Sequence, residues 1–300
     1  MASISYERKI PLLTRIRYLG EALGIFILYG FFALMPVETA SNLGGKIART
    51  LFPRFAASRK ADRNLKFAMP ELSVSERREI IKDMWENLGR VFAEYPHLSK
   101  LSSRIAVYGE EHLKSATENP TIMVGGHFAN WEVYAASAAS YGLGLNLVYR
   151  PPNNIYVDGL LRYSRRRAGA VSAISKTVEG ARQMMSVLKS GGALGVLIDQ
   201  KFNEGVAVPF FGHDAMTAPA AVQMGIRLGV PVHPARIRRL NGAEFEVTIY
   251  PALNIPEAGT RDEKAYQMLL QLHKMFEDWI REDPAQWLWI HRRWKKLKIN

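Results

Sequence analysis

The chain has 300 residues, a formal net charge of +12 and no cysteine. The missing cysteines exclude disulfides, thiolate metal sites and a cysteine-linked acyl intermediate. The charge, accompanied by 12 tyrosines and 6 tryptophans, points to an anionic membrane interface as partner; no RRM or zinc-finger signature accompanies it, so no nucleic acid is expected.

Residues 1–17 are basic (Arg8, Lys9, Arg15, Arg17). An uncharged run follows over 22–37, which as a helix spans about 24 Å, short of a hydrocarbon core of about 30 Å. No small-residue cleavage site follows it, so a removed signal peptide is not expected. The run predicts a single membrane anchor, spanning or half-inserted, with an ordinary buried core helix as the alternative. Residues 39–69 read as helical and basic (Lys46, Arg49, Arg54, Arg59, Lys60, Arg63, Lys66). Positive charge on both sides of the apolar run favours a helix that dips into one leaflet. Ser73 and Glu76 form a capping box for a helix that carries Ile80, Ile81, Met84, Leu88, Val91 and Phe92 on one face.

From Ile105 the texture changes to short strands alternating with helices, the pattern of a mostly parallel sheet. Strands are predicted near 105–108, 121–125, 145–149, 193–198, 231–238 and 244–251. Helices are predicted near 131–141, 154–168, 178–189, 217–228 and 261–281. The fold class is therefore α/β: a mostly parallel central sheet flanked by helices, with an N-terminal helical, membrane-associated extension. The division expected is a membrane-anchoring region over 1–60 and one α/β domain over 61–300.

The chemistry centres on His127 and Glu132. A short apolar strand runs into Gly125-Gly126, and His127 follows at once, at the carboxyl end of a strand where open α/β sheets keep their sites. The bare spacing is weak evidence, because His273 and Asp278 repeat it inside a predicted helix. There the two side chains point about 140° apart, and His273 reads as a surface residue. His127 escapes that geometry by preceding its helix, with Asn130 as N-cap and Glu132 in the first turn. A carboxylate at the positive helix end stays ionised and suits holding an imidazole in one tautomer while it takes a proton. The alternative is a core histidine beside a surface glutamate. No G-x-S-x-G elbow and no H-E-x-x-H arrangement is present, so the base is expected to act on a substrate hydroxyl.

His127-Phe-Ala-Asn-Trp-Glu132 resembles the HX4D/E motif of glycerolipid acyltransferases. Further matches come at Val148-Tyr-Arg150-Pro with Asn154, Ile198-Asp199-Gln200, Gly205-Val-Ala-Val-Pro209-Phe210-Phe211-Gly212, Gly229-Val-Pro-Val-His-Pro234 and Gln286-Trp-Leu-Trp-Ile-His-Arg-Arg-Trp294; Trp85-Glu-Asn-Leu-Gly-Arg90 also fits. This set resembles the bacterial late lipid A acyltransferases, the lauroyl and myristoyl transferases, over roughly 63–296. The resemblance implies transfer of an acyl chain from an acyl carrier protein thioester to a hydroxyl on a phosphorylated, Kdo-bearing disaccharide lipid. It implies the cytoplasmic face of the inner membrane, and neither metal nor cofactor. It makes His127 the base and Glu132 its orienter, and it points to Arg165 and Asp199 as further important positions. The doubled proline after Arg150 departs from the family's usual single one.

The residues themselves agree in part. Arg150 and Asp199 end or follow predicted strands, on the same sheet edge as His127. Arg162, Arg165, Arg166 and Arg167 suit phosphate or carboxylate, or else form a solvated face with an Asp158–Arg162 pair. Asp199 also suits a turn cap. Arg150, Arg165, Asp199 and Gln200 are the candidate substrate contacts, with Phe210 and Phe211 lining an acyl channel or belonging to the core. Trp287, Trp289 and Trp294, interleaved with His291, Arg292, Arg293, Lys295, Lys296 and Lys298, read as an interfacial anchor or as packing on the domain. An acceptor of another class, a different glycolipid or a lysophospholipid, and a non-catalytic basic membrane adaptor are the competing readings.

Overall fold

The computed structural model describes residues 10–294 of the chain. Arg8, Lys9 and the closing Lys295, Lys296 and Lys298 lie outside the described residues. The apolar run forms α1 (Leu12–Ala33), which starts well before the uncharged stretch and stops at Ala33, so that Pro36 becomes the N-cap of the next helix. At 22 residues it is about 33 Å long, apolar and long enough to cross a membrane. Of its residues only Ala22 is buried, and Leu13, Leu23, Ile27 and Leu28 are exposed. The core-helix alternative is therefore set aside: this apolar surface meets no protein among the described residues.

The basic region forms α2 (Val37–Leu51) and α3 (Ala56–Ala68). The capping box appears as expected, with Ser73 Oγ accepting from Glu76 N at the start of α4 (Val74–Glu94). Helices α2 and α4 cross in backbone contact, since a Cβ on Gly44 would lie 2.7 Å from the Gly89 carbonyl oxygen. Only glycine at both positions permits that approach. A 3-10 segment, Tyr95–Arg104, leads from α4 into the sheet.

The strands are β1 (Ile105–Tyr108), β2 (Thr121–Gly125), β3 (Leu145–Tyr149), β4 (Ser172–Ser175), β5 (Ala193–Leu197), the hairpin β6 (Val206–Phe210) and β7 (His213–Thr217), β8 (Val232–Asn241) and β9 (Glu244–Ile249). Between and after them run α5 (Glu110–Glu118), α6 (Val133–Ala139), α7 (Ile155–Arg167), α8 (Val178–Lys189), α9 (Ala220–Leu228) and α10 (Arg261–Glu282). Seven strands make one sheet in the order β1-β9-β8-β2-β5-β3-β4, and β6 pairs only with β7. All sheet pairs are parallel except β8 with β9. The mostly parallel α/β sheet with flanking helices is thus as expected. Helix α5, edge strand β4 and the β6–β7 hairpin were not anticipated; all are short and weakly patterned, and Pro209 inside β6 argues against a strand.

Strand β2 lies centrally and is buried along its whole length, as parallel strands covered on both faces are. Ile122 and Val124 pack with Met184, Leu188 and Val222, while Met123 packs with Tyr134 and Ala136 of the opposite layer. Gly125 pairs with Leu197 and Val148 with Val196, so β2, β5 and β3 end level with one another. The loops leaving these three strands therefore meet at one edge of the sheet.

Candidate active site

The turn after β2 needs glycine for closeness rather than for unusual torsion angles. A Cβ on Gly125 would lie 2.3 Å from Tyr134 Oη, and one on Gly126 2.6 Å from the Phe128 ring and 3.2 Å from Asp199 Cγ. The left-handed conformation falls instead on Ala129, with φ 45°, a strained value for a residue with a Cβ. The surroundings hold it there. Ala129 N donates to Gln286 O at 2.8 Å, its carbonyl accepts from Asn87 Nδ2 at 3.0 Å, and Phe128 bridges to Trp287.

Asn130 completes this support. It is fully buried, its Nδ2 donates to Glu94 Oε2 at 2.7 Å, and its Oδ1 accepts from Glu132 N at 3.1 Å. Glu94 is in turn paired with Arg239 of β8, and Ser41 of α2 donates to it. Asn130 therefore does cap the turn, although α6 begins only at Val133. The Trp85–Arg90 and Gln286–Trp294 stretches have a physical reason here: they supply the partners that fix the strained loop.

His127 projects from that loop. Its Nδ1 lies 2.7 Å from Asp199 Oδ1, its backbone N–H donates to Asp199 Oδ2 at 2.8 Å, and Trp287 Nε1 donates to the same oxygen at 2.9 Å. Burial alone raises the pKa of Asp199, but the adjoining His127 ring and the hydrogen bonds from His127 N and Trp287 outweigh it and hold the carboxyl well below the usual range. An ionised Asp199 accepts from Nδ1–H, which leaves the lone pair of the neutral ring on Nε2. Gln200 Nε2 lies 3.1 Å from that nitrogen.

Glu132 has other partners, and this corrects its expected role. Among the described residues its carboxylate bonds to Arg165, Tyr95 and Trp131, and it makes no hydrogen bond to His127. Arg165 donates twice, Nε to Oε2 and Nη2 to Oε1, each at 2.7 Å; Tyr95 Oη and Trp131 Nε1 donate to Oε1 at 2.5 and 3.1 Å. Glu132 is 3% exposed. Burial raises its pKa, and Arg165 more than compensates, so it stays ionised below the ordinary carboxylate value. The physical reason for the correction is register. The sheet delivers a carboxylate from the end of β5, 72 positions away, to the inner side of the imidazole, and the local carboxylate turns towards α7.

His127, Glu132, Arg150, Arg165 and Gln200 all border one cavity of about 520 Å3. Its remaining wall mixes the apolar Leu145, Leu147, Val148 and Val196 with Tyr149, Lys176 and His291, the build of a site for a largely apolar ligand with a few polar fixings. Arg150 is exposed at its edge, and Asp199 lies behind His127. Arg165 Nη1 is buried without a hydrogen-bond partner among the described residues, and its guanidinium stacks over the Tyr149 ring at 5.1 Å. The Asp158–Arg162 pair forms at 3.1 Å, leaving Arg166 and Arg167 exposed. No cluster of three or more histidine or acidic side chains suited to a metal occurs among the described residues.

Phe210 and Phe211 are corrected. Neither borders the cavity; they are 1% and 7% exposed and pack against Trp294, Trp287 and Trp289. The three tryptophans, at 2%, 2% and 0% exposure, are core and not an interfacial belt. His273 is also corrected from surface to core: it is 1% exposed and bonded to Pro209 O, Thr217 Oγ1 and Arg293. Tyr95, Trp131, Tyr149, Lys176 and His291 were not singled out as site residues. Trp131, Tyr149 and His291 lie inside the family-like motifs, whereas nothing in the spacing marks Tyr95.

Comparison with known proteins gives the family. Residues 8–296 match the family described as bacterial lipid A biosynthesis acyltransferase. A lipid A biosynthesis lauroyltransferase of Escherichia coli (strain K12) is 27% identical over 296 residues, covering 93% of this chain and 92% of that one. A palmitoleoyltransferase of the same organism is 25% identical, covering 95% and 94%, and a lipid A biosynthesis acyltransferase of Haemophilus influenzae (strain ATCC 51907 / DSM 11121 / KW20 / Rd) is 24% identical, covering 78% and 76%. With the family matched along nearly the whole chain, the protein belongs to the bacterial lipid A biosynthesis acyltransferases and is an acyltransferase.

Proposed function

We propose that the protein transfers a fatty acyl chain from an acyl carrier protein thioester to a hydroxyl of a phosphorylated, Kdo-bearing lipid A precursor, with His127 as general base. The observation that carries this reading is the His127–Asp199 pair. An imidazole held by a carboxylate on Nδ1, with Nε2 turned to a cavity, is built to take a proton from a hydroxyl. The hydroxyl oxygen attacks the thioester carbon as its proton passes to Nε2. When the tetrahedral intermediate collapses, the carbon–sulfur bond breaks and the thiolate takes that proton. Asp199 holds the tautomer and stabilises the imidazolium, the part that the resemblance gave to Glu132.

In this reading Glu132 is a positioning residue: its carboxylate fixes Arg165, whose unfilled Nη1 donates to the acyl carbonyl or to an anionic group of the acceptor. Arg150 contributes charge at the rim. The apolar wall of Leu145, Leu147 and Val196 takes the acyl chain. Helix α1, with its exposed apolar surface, seats the protein in the inner membrane from the cytoplasmic side, spanning or half-inserted, where a lipid acceptor is presented to the cavity. No cofactor beyond the acyl donor is required. Mass spectrometry of lipid A from a strain lacking the gene tests the acceptor: loss of one acyl chain supports it, and unchanged lipid A with a changed phospholipid profile replaces it with a lysophospholipid acceptor.

A further inference from the structure

The nitrogen that must receive the proton is already occupied. A neutral imidazole with its proton on Nδ1 has one lone pair, on Nε2, and accepts one hydrogen bond there. In this structure that bond comes from the Gln200 amide at 3.1 Å. A hydroxyl that hands its proton to Nε2 must come within about 2.6–3.2 Å of it, which is the place the amide holds. The hydroxyl and the amide exclude one another.

Gln200 is also free to leave. Its side chain makes no other hydrogen bond among the described residues, it is half-buried, and it lies in the irregular segment between β5 and β6. Asp199, one residue earlier, is fixed by three donors. Donors for an oxyanion are also scarce on the loop that carries the base. His127 N is spent on Asp199, Phe128 N on Gly126 O at 2.9 Å, and Ala129 N on Gln286 O at 2.8 Å. An amide pushed off Nε2 stays beside the reacting carbon with two N–H groups unspent.

We propose that Gln200 is a gate with two positions: it caps His127 Nε2 in the free protein and, displaced by the acceptor hydroxyl, turns its amide onto the acyl carbonyl oxygen. This rests on the reading of His127 as the base. In the capped state the base is shielded from water, so an acyl thioester that arrives alone meets an occupied imidazole. Arrival of the acceptor both uncovers the base and supplies a donor. The hydroxyl oxygen bonds to the carbonyl carbon, its proton goes to Nε2, the carbonyl oxygen becomes the oxyanion held by the Gln200 N–H, and collapse expels the thiolate with the proton.

The test has one arm without turnover. Diethyl pyrocarbonate reacts with the free lone pair of a neutral imidazole, and peptide mass spectrometry locates the adduct at His127. In full-length protein in detergent, with neither substrate present, Gln200→Ala should raise the modification rate at His127 at least fivefold; an unchanged rate overturns the cap. In the transfer assay, Gln200→Ala and Gln200→Leu should both lower kcat about 10²-fold, the loss typical of one oxyanion donor, without raising KM for the acceptor. Wild-type kcat in the leucine variant, which fills the same space and donates nothing, overturns the donor role. Full turnover in folded His127→Ala sinks the base reading instead, while the labelling arm still reports on the cap.

Discussion

Asp199→Asn separates the two carboxylates as partners of His127. The native carboxylate accepts three hydrogen bonds, one on Oδ1 from the ring and two on Oδ2 from His127 N and Trp287 Nε1. An asparagine has one accepting oxygen. With its oxygen at the Oδ2 position it keeps both of those donors, and its NH2 faces Nδ1. With its oxygen at the Oδ1 position the NH2 faces two N–H groups, leaving buried donors unpaired at about 1–3 kcal/mol each. The first arrangement wins, so Nδ1 becomes the acceptor and the ring proton moves to Nε2, on the cavity side. Stability then changes by only about 1 kcal/mol, but the lone pair faces the wrong way. By analogy with the same substitution in a Ser-His-Asp triad, kcat should fall about 10⁴-fold. The assay is transfer of a radiolabelled acyl chain from its carrier thioester to the glycolipid acceptor, with circular dichroism to confirm folding. Turnover within twofold of wild type would refute Asp199 as the group that sets the tautomer.

Glu132→Ala strands the largely buried Arg165 and should cost about 3 kcal/mol in denaturant unfolding; an unchanged midpoint contradicts the pairing. Asn154→Ala removes the cap that accepts from Tyr156 N and Val157 N, and the donor that ties α7 to Tyr18 O and Glu21 of α1. It should cost about 1 kcal/mol and speed hydrogen exchange in the first turn of α7, where unaltered protection would tell against the clasp. Burial, helped by the neighbouring Arg293 charge, pushes His273 down to about 3 from 6.5. The unfolded chain therefore binds the extra proton as pH falls from about 6.5, so stability is full above that value and declines towards pH 3. The loss by pH 5 is about 2 kcal/mol, and His273→Gln should flatten that stretch of the melting-temperature profile; an unaltered slope would assign it elsewhere.

The legible parts of the molecule were those with strong local patterns. Thr121–Gly125 reads as a buried strand because it is apolar and ends in two glycines, and His127 at its exit follows from the rule for parallel sheets. The capping box of α4 and the α6 to α10 patterns were equally plain. The partner of His127 was not, because Asp199 reaches it only through the pairing of Gly125 with Leu197, and register between strands is long-range information. A local carboxylate at the right spacing takes that role when only the sequence is in view. Trp287, Trp289 and Trp294 alternate with cations and so mimic an interfacial belt, but one of those cations, Arg293, is itself buried against Thr217 and His273. For His273 a local signal is present: Leu269, Leu272 and Phe276, at helical spacing around it, form the buried stripe of α10, and a histidine on that stripe belongs to the core.

The central claim is that His127 activates a hydroxyl of a lipid A precursor towards an acyl thioester. Purified protein in detergent, given the acyl carrier protein thioester and the Kdo-bearing precursor, should add one acyl chain by mass spectrometry. Folded His127→Ala should lose that product at least about 10³-fold in rate. Near wild-type turnover in His127→Ala, or no product with the wild-type protein, would contradict the account.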